Sequence, residues 1–263
     1  MKGYETLGIA AGPARVRAFL RGSGPTVVML CGMGRPPGDL EAFGKTIADA
    51  GYKVAIAEYR GIGESRGPMD GITFHDLAKD VAAIVDKVGG APVALIGHAF
   101  GNRIARTLAA DRPDLVSCVV MLGASGKVQP TPEVAAAIKV AQSMHLSRKE
   151  REAAVRKVWF GPGRDISGWL DESWSQPFIK AALGAAERTP LSEFWTAGKA
   201  PILIVQGLAD VSAPPENGRL LKEEVGDRAT LVELVGIGHS LAVEAPDEVA
   251  KPVLAYLAKR MKR

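Results

Sequence analysis

The chain has 263 residues, 47% apolar and 24% charged, a balance ordinary for a folded domain and outside the disordered and fibrous classes. Its net charge is +4, but the basic residues are scattered apart from Lys259, Arg260, Lys262 and Arg263, which read as a solvated helix end, so no nucleic-acid partner is indicated. No stretch approaches the roughly 20 apolar residues of a membrane span, residues 1–7 hold no signal-peptide core, and Cys31 and Cys118 lie in apolar runs read as buried strands; a soluble protein of a reducing compartment, the cytoplasm, is expected, with no disulfide framework and no membrane partner.

Residues 5–9 and 15–21 alternate polar and apolar side chains, which predicts an antiparallel hairpin at a sheet edge. An apolar run at 26–30 predicts the next strand, followed by a helix over 39–50, a strand at 53–57 and a helix over 73–88. The same alternation continues with a strand at 92–96, a helix over 102–110 and a strand at 118–122. Runs that are apolar throughout belong to strands covered on both faces, and helices between them supply the cover, so the class is α/β with a mostly parallel sheet and right-handed crossovers. Over 125–200 the alternation stops. All four Trp fall here, at 159, 169, 174 and 195, and segments 131–144 and 147–160 begin with Thr131 and Ser147 at N-cap positions, the second with Glu150 completing a capping box. The segment reads as a helical insertion over the sheet, with Trp159, Trp174, Phe178 and Trp195 as candidate substrate-pocket residues; the competing reading is that these rings serve only as packing mass. Strands at 201–205 and 229–235 and helices over 216–225 and 247–259 then resume the pattern, dividing the chain into a core of 1–124 with 201–263 and a cap of 125–200.

The run Leu95, Ile96, Gly97, His98, Ala99, Phe100, Gly101 follows a buried strand and opens a helix. A turn this sharp needs glycine on both sides of its central residue, whose side chain then stands over the end of the sheet, the geometry of a nucleophile elbow. The central residue here is Ala99, which has no nucleophilic atom. After the third strand comes Leu30, Cys31, Gly32, Met33, Gly34, and after the fourth Glu58, Tyr59, Arg60, Gly61, Ile62, Gly63, Glu64, Ser65. Asp210 lies just past the strand at 201–205, and His239 follows the last strand in Gly236, Ile237, Gly238, His239, with Glu244 and Pro246 beyond.

In these motifs and in their order the chain resembles the α/β-hydrolases of the capped esterase, lyase and dehalogenase type over nearly its whole length. The resemblance implies an eight-stranded, mostly parallel sheet flanked by helices, with a helical cap inserted after the sixth strand. It places the nucleophile position at Ala99, the acid at Asp210 and the base at His239, in the chain order this fold uses. Cys31 stands where the family has His, and a small buried thiol is expected there rather than a nucleophile. Glu58 stands for the family's Asp in a motif that shapes the loop beside the site. Asp210 would fix the tautomer of His239, and the backbone N–H groups of Met33 and Phe100 would form the oxyanion hole.

Three functions fit these residues. In the first, Ala99 replaces the Ser of an ester or acyl hydrolase acting on a small apolar carbonyl compound, a Ser→Ala variant. In the second, Ala99 is native and His239 with Asp210 acts as a general base in a lyase, a cofactor-free oxygenase or a water-activating hydrolase. In the third, the pocket is a receptor without turnover. The partner expected is a small-molecule substrate; no metal is implied, because no cluster has ligand spacing, and no organic cofactor, because the glycines after the third strand lack a dinucleotide fingerprint.

Overall fold

A computed structural model describes residues 1–171 and 174–261. Eight strands form one sheet: β1 (Glu5–Ala11), β2 (Ala14–Arg21), β3 (Thr26–Leu30), β4 (Lys53–Glu58), β5 (Val93–His98), β6 (Val116–Leu122), β7 (Ile202–Gly207) and β8 (Ala229–Leu234). Their order is β1-β2-β4-β3-β5-β6-β7-β8. The β1–β2 and β2–β4 pairs are antiparallel and the rest parallel, so the N-terminal hairpin lies at one edge, as its alternation predicts.

The central strands show why their runs are apolar throughout. Val28, Leu30, Ala55, Ala57, Leu95, Val119, Met121, Ile202 and Ile204 enter one core. Their neighbours Val27, Met29, Val54, Ile56, Ala94, Ile96, Val120, Leu203 and Val205 enter the other. This is the two-residue period of a strand with both faces covered. Helices α2 (Phe74–Val88), α3 (Phe100–Asp111) and α8 (Glu216–Val225) cover the first face; α1 (Glu41–Asp49), α9 (Leu241–Glu244) and α10 (Pro246–Arg260) cover the second. The last strand departs from expectation: only Ala229 of β8 is buried, because an edge strand has one neighbour, and Val235 lies past its end, 82% exposed. Cys31 likewise falls just beyond β3 rather than within it, although it is buried. Of the basic tail, Lys259 and Arg260 close α10, while Lys262 and Arg263 lie outside the described residues.

Between β6 and β7 the chain builds α4 (Pro132–Gln142), α5 (Arg148–Trp159), α6 (Ser167–Asp171) and α7 (Gln176–Arg188). Thr131 and Ser147 cap α4 and α5, and Ser147 with Glu150 forms a reciprocal capping box, satisfying amides that would otherwise lack acceptors. These helices own a third core of Val134, Val155, Val158, Trp159, Phe160, Ile166, Trp169, Leu170, Trp174 and Ile179. The opposite face of α7 puts Phe178, Ala182 and Ala185 into the sheet core. Phe194, Trp195, Ala197 and Ala200, which follow α7, enter the same core, so the C-terminal part of the insertion ties it down. Among the described residues, no helix is long and apolar enough to cross a membrane.

Candidate active site

Strand β5 runs two residues further than the apolar pattern predicts and α3 begins two residues earlier, so the whole reversal is made at Ala99. Its backbone sits at φ 49°, ψ −109°, a conformation costing about 1–3 kcal/mol in a residue with a Cβ. The surroundings enforce it. Ala99 N–H donates to the Leu122 carbonyl (2.9 Å) and the Ala99 carbonyl accepts from Asn102 N–H (3.1 Å), while the buried Asn102 amide donates to the Gly123 carbonyl (2.9 Å). Gly97 and Gly101 are demanded by contact: a Cβ at Gly97 would meet Asn102 N and Cα at 2.4 Å, and one at Gly101 the Leu30 carbonyl oxygen at 2.3 Å.

Asp210 stands on the turn after β7. Asp210 Oδ1 accepts from the backbone N–H groups of Ser212 (2.9 Å) and Ala213 (2.7 Å). Its Oδ2 receives the Gln206 amide (3.4 Å) and, at 2.8 Å, the Nδ1–H of His239. A carboxylate only accepts, so the proton of a neutral His239 is on Nδ1 and Nε2 keeps its lone pair. The loop bearing His239 is held by Glu244, whose two oxygens accept from Gly238 N–H (2.9 Å) and Gly161 N–H (2.7 Å); burial raises its carboxyl above the usual range. On the other side, Glu58 binds the Arg17 guanidinium with both oxygens (2.8 Å each) and the Ser65 hydroxyl at 2.7 Å, which fixes the loop at 58–65. Cys31 is protonated and buried: burial pushes its thiol well up, and Sγ donates to the Pro36 carbonyl (3.4 Å).

Ala99, His239, Met33 and Phe100 all line one cavity of about 340 Å³. Phe100 is the first residue of α3, so its N–H is one of those a helix leaves without an internal acceptor. Three tryptophans form part of the remaining wall: Trp159 stacks on Trp174 (4.8 Å between centroids), and Trp169 meets both. The Arg35 guanidinium lies 4.0 Å from the Trp169 centroid and is held by both oxygens of Asp39 (2.6 and 2.7 Å).

Two of the rings expected at the pocket are elsewhere. Phe178 is fully buried, stacked on Tyr59 (5.2 Å) and edge-on to Phe100 (5.6 Å), because its face of α7 meets the sheet. Trp195 packs beside Gly126 and under the Arg106 guanidinium, its Nε1–H donating to Glu224 (2.7 Å). Trp169, Arg35, Asp39, His98 and Arg103 line the cavity instead. For His98 and Arg103 a signal was present in the sequence, since they lie one before and four after the elbow residue and α3 returns to the same face every turn. His98 Nε2 is 2.7 Å from the His239 carbonyl.

Residues 25–163 match the family described as the alpha/beta hydrolase fold, and residues 179–261 match that of the TAP-like protein. The chain is 25% identical over 266 residues to BpoC, a candidate non-heme bromoperoxidase of Mycobacterium tuberculosis, covering 90% of this chain and 95% of that one. It is 23% identical over 253 residues to the rhodomycin D methylesterase DauP of a Streptomyces species, covering 82% and 85%. In three dimensions it resembles the esterase EaEST of Exiguobacterium antarcticum, with a TM-score of 0.80 at 21% identity, over 95% of this chain and 98% of that one.

Proposed function

The chain belongs to the alpha/beta hydrolase family, and from that premise we propose that the cavity over Ala99 is a hydrolytic active site for a small, largely apolar carbonyl compound of ester or acyl type. The reading is carried by one observation: an imidazole bonded through Nδ1 to a buried carboxylate at 2.8 Å, lining the same cavity as the elbow residue. In this reading Asp210 and His239 are the acid and base of a triad lacking only its nucleophile. Without a hydroxyl at 99, His239 Nε2 takes a proton from water, and the resulting hydroxide adds to the substrate carbonyl. The oxyanion is received by the Met33 and Phe100 N–H groups, and the imidazolium returns its proton to the leaving group. The helices α4–α7 act as a cap whose Trp159, Trp169 and Trp174 cover the apolar part of the substrate.

The backbone of Ala99 favours a related reading, in which this position belongs to a serine and the chain is a Ser→Ala form of an esterase. Strain of about 1–3 kcal/mol at a non-glycine residue is understandable where it aims a reacting atom, and a methyl group gains nothing from being aimed. Ala99→Ser tests both readings on short p-nitrophenyl esters. The serine form is expected to gain about 10²-fold or more and to show a burst of acyl-enzyme formation. His239→Ala is expected to abolish hydrolysis in both backgrounds. Equal rates in all four proteins would remove the hydrolase assignment, and a gain that survives loss of His239 would remove the base.

A further inference from the structure

Helix α3 carries two guanidinium groups, Arg103 and Arg106, that have no ion-pair partner among the described residues. Arg106 is fully buried and spends its N–H groups on neutral acceptors. Nε donates to the Asn102 carbonyl (3.2 Å), Nη1 to the Trp195 carbonyl (3.3 Å), and Nη2 to Asn102 Oδ1 and the Ser125 carbonyl (2.8 Å each). Arg103 lines the cavity and donates from Nε to Ser125 Oγ at 3.1 Å. Among the described residues, neither forms an ion pair, and the Nη groups of Arg103 make no hydrogen bond. The other guanidinium of the cavity, Arg35, is matched by Asp39.

Burying a charge without a partner is costly. The cost registers in both groups: burial lowers their pKa values, and in Arg106 the neighbouring charge of Arg103 adds to it. A guanidinium does not lose its proton in a protein, so Arg103 keeps a positive charge in the cavity wall. Its exposed end is a planar fork of N–H donors that fits a carboxylate with two parallel bonds. Because helical side chains lean toward the N-terminus of their helix, Arg103 inclines toward Ala99, one turn below.

Resting on the reading of this cavity as the active site, we propose that Arg103 is the binding residue for a carboxylate on the substrate, whose reacting carbonyl lies over Ala99 and whose apolar body lies against the tryptophans. The substrate class is then an apolar acid rather than a neutral ester.

The test is calorimetric and needs no turnover. Phenylacetate, 3-phenylpropionate and 4-phenylbutyrate are titrated against the corresponding primary amides, which share their shape without the charge. At least one carboxylate is expected to bind about tenfold or more tighter than its amide, a preference falling to about twofold or less in Arg103→Gln and recovering in part in Arg103→Lys. Circular dichroism of each variant confirms that it is folded, and the lysine form keeps the test alive if the glutamine form is not. In His239→Ala the preference is expected to persist; its loss there, with retention in Arg103→Gln, would put the carboxylate at the imidazole and overturn the proposal. No carboxylate binding at millimolar concentration, or equal binding of acids and amides, overturns it too. A charge preference that depends on Arg103 in a protein hydrolysing nothing would leave the anion site standing and the hydrolase reading fallen; hydrolysis without the preference would do the reverse.

Discussion

His98 shows how one side chain ties the elbow to the histidine loop. Burial first, and the neighbouring His239 second, pull its pKa down to about 3, so it is neutral and its Nε2–H donates to the His239 carbonyl at 2.7 Å. Its Nδ1 is then an acceptor beside the turn after β3, where a Cβ at Gly32 would come within 3.3 Å of it. In the unfolded chain a histidine takes its proton near pH 6.5. Below that value the unfolded state therefore binds a proton the native state refuses, and stability is full above about pH 6.5 and falls as the pH drops toward 3. In His98→Gln, which keeps a donor but does not titrate, the fall in melting temperature from about pH 7 to pH 5 is expected to be shallower than in the parent. Parallel profiles for the two proteins would show that the imidazole takes its proton at the same pH in the native and unfolded states. In the sequence nothing in a local motif announces this bond to a carbonyl 141 positions away.

The elbow as an element depends on how closely α3 approaches the sheet. At Gly101 an added Cβ would strike the Leu30 and Cys31 carbonyl oxygens at 2.3 and 2.7 Å, and backbone cannot step aside as a side chain can. Gly101→Ala is expected to cost about 3 kcal/mol or more, the upper end of overpacking penalties. At Gly38, where a Cβ meets nothing within 4 Å, the same change is expected to be neutral or to stabilise by up to about 1 kcal/mol through the unfolded chain. Urea unfolding of the two variants measures the contrast, and similar losses at both positions would contradict the packing account. Elements of this kind were legible because each strand and helix announces itself over a few residues: the glycine pair around Ala99, the apolar runs of β3 to β7, the caps Thr131 and Ser147. The facing of α7 was not. Gln176–Arg188 serves two cores at once, sending Phe178 to the sheet and Ile179 to the insertion, and its sequence alone does not say which aromatic side meets the cavity. The short α6 is likewise too brief for a helical period to be read.

At the scale of the whole molecule, two of the three cores share the sheet and the third is nearly private to the inserted helices. Composition made the break at 125–200 visible, since the strand runs stop and the tryptophans gather there, but composition cannot say how firmly the insertion is attached. The packing can. The third core touches the rest chiefly through Met33 and Val243, while the residues that anchor the segment, Phe178, Ala182 and Ala185 of α7 and Phe194, Trp195, Ala197 and Ala200 after it, lie in its C-terminal part. Helices α4 to α6 thus have few apolar contacts outside their own cluster, and units of that kind open at lower free energy than the global unfolding. Trp159, Trp169 and Trp174 sit inside this cluster and only Trp195 in the sheet core, so tryptophan emission reports mainly on the insertion and far-ultraviolet circular dichroism on the whole fold. In a urea titration the emission change is expected to precede the dichroism change. Truncating the fully buried Val155 to Ala is expected to destabilise the insertion by about 2 kcal/mol, moving the emission midpoint to lower urea while leaving the dichroism midpoint nearly in place. If the two signals coincide in the parent and Val155→Ala shifts both together, the inserted helices and the sheet unfold as one cooperative unit, and opening the cavity then requires motion of α7 and its anchoring Phe178 rather than release of α4 to α6 alone.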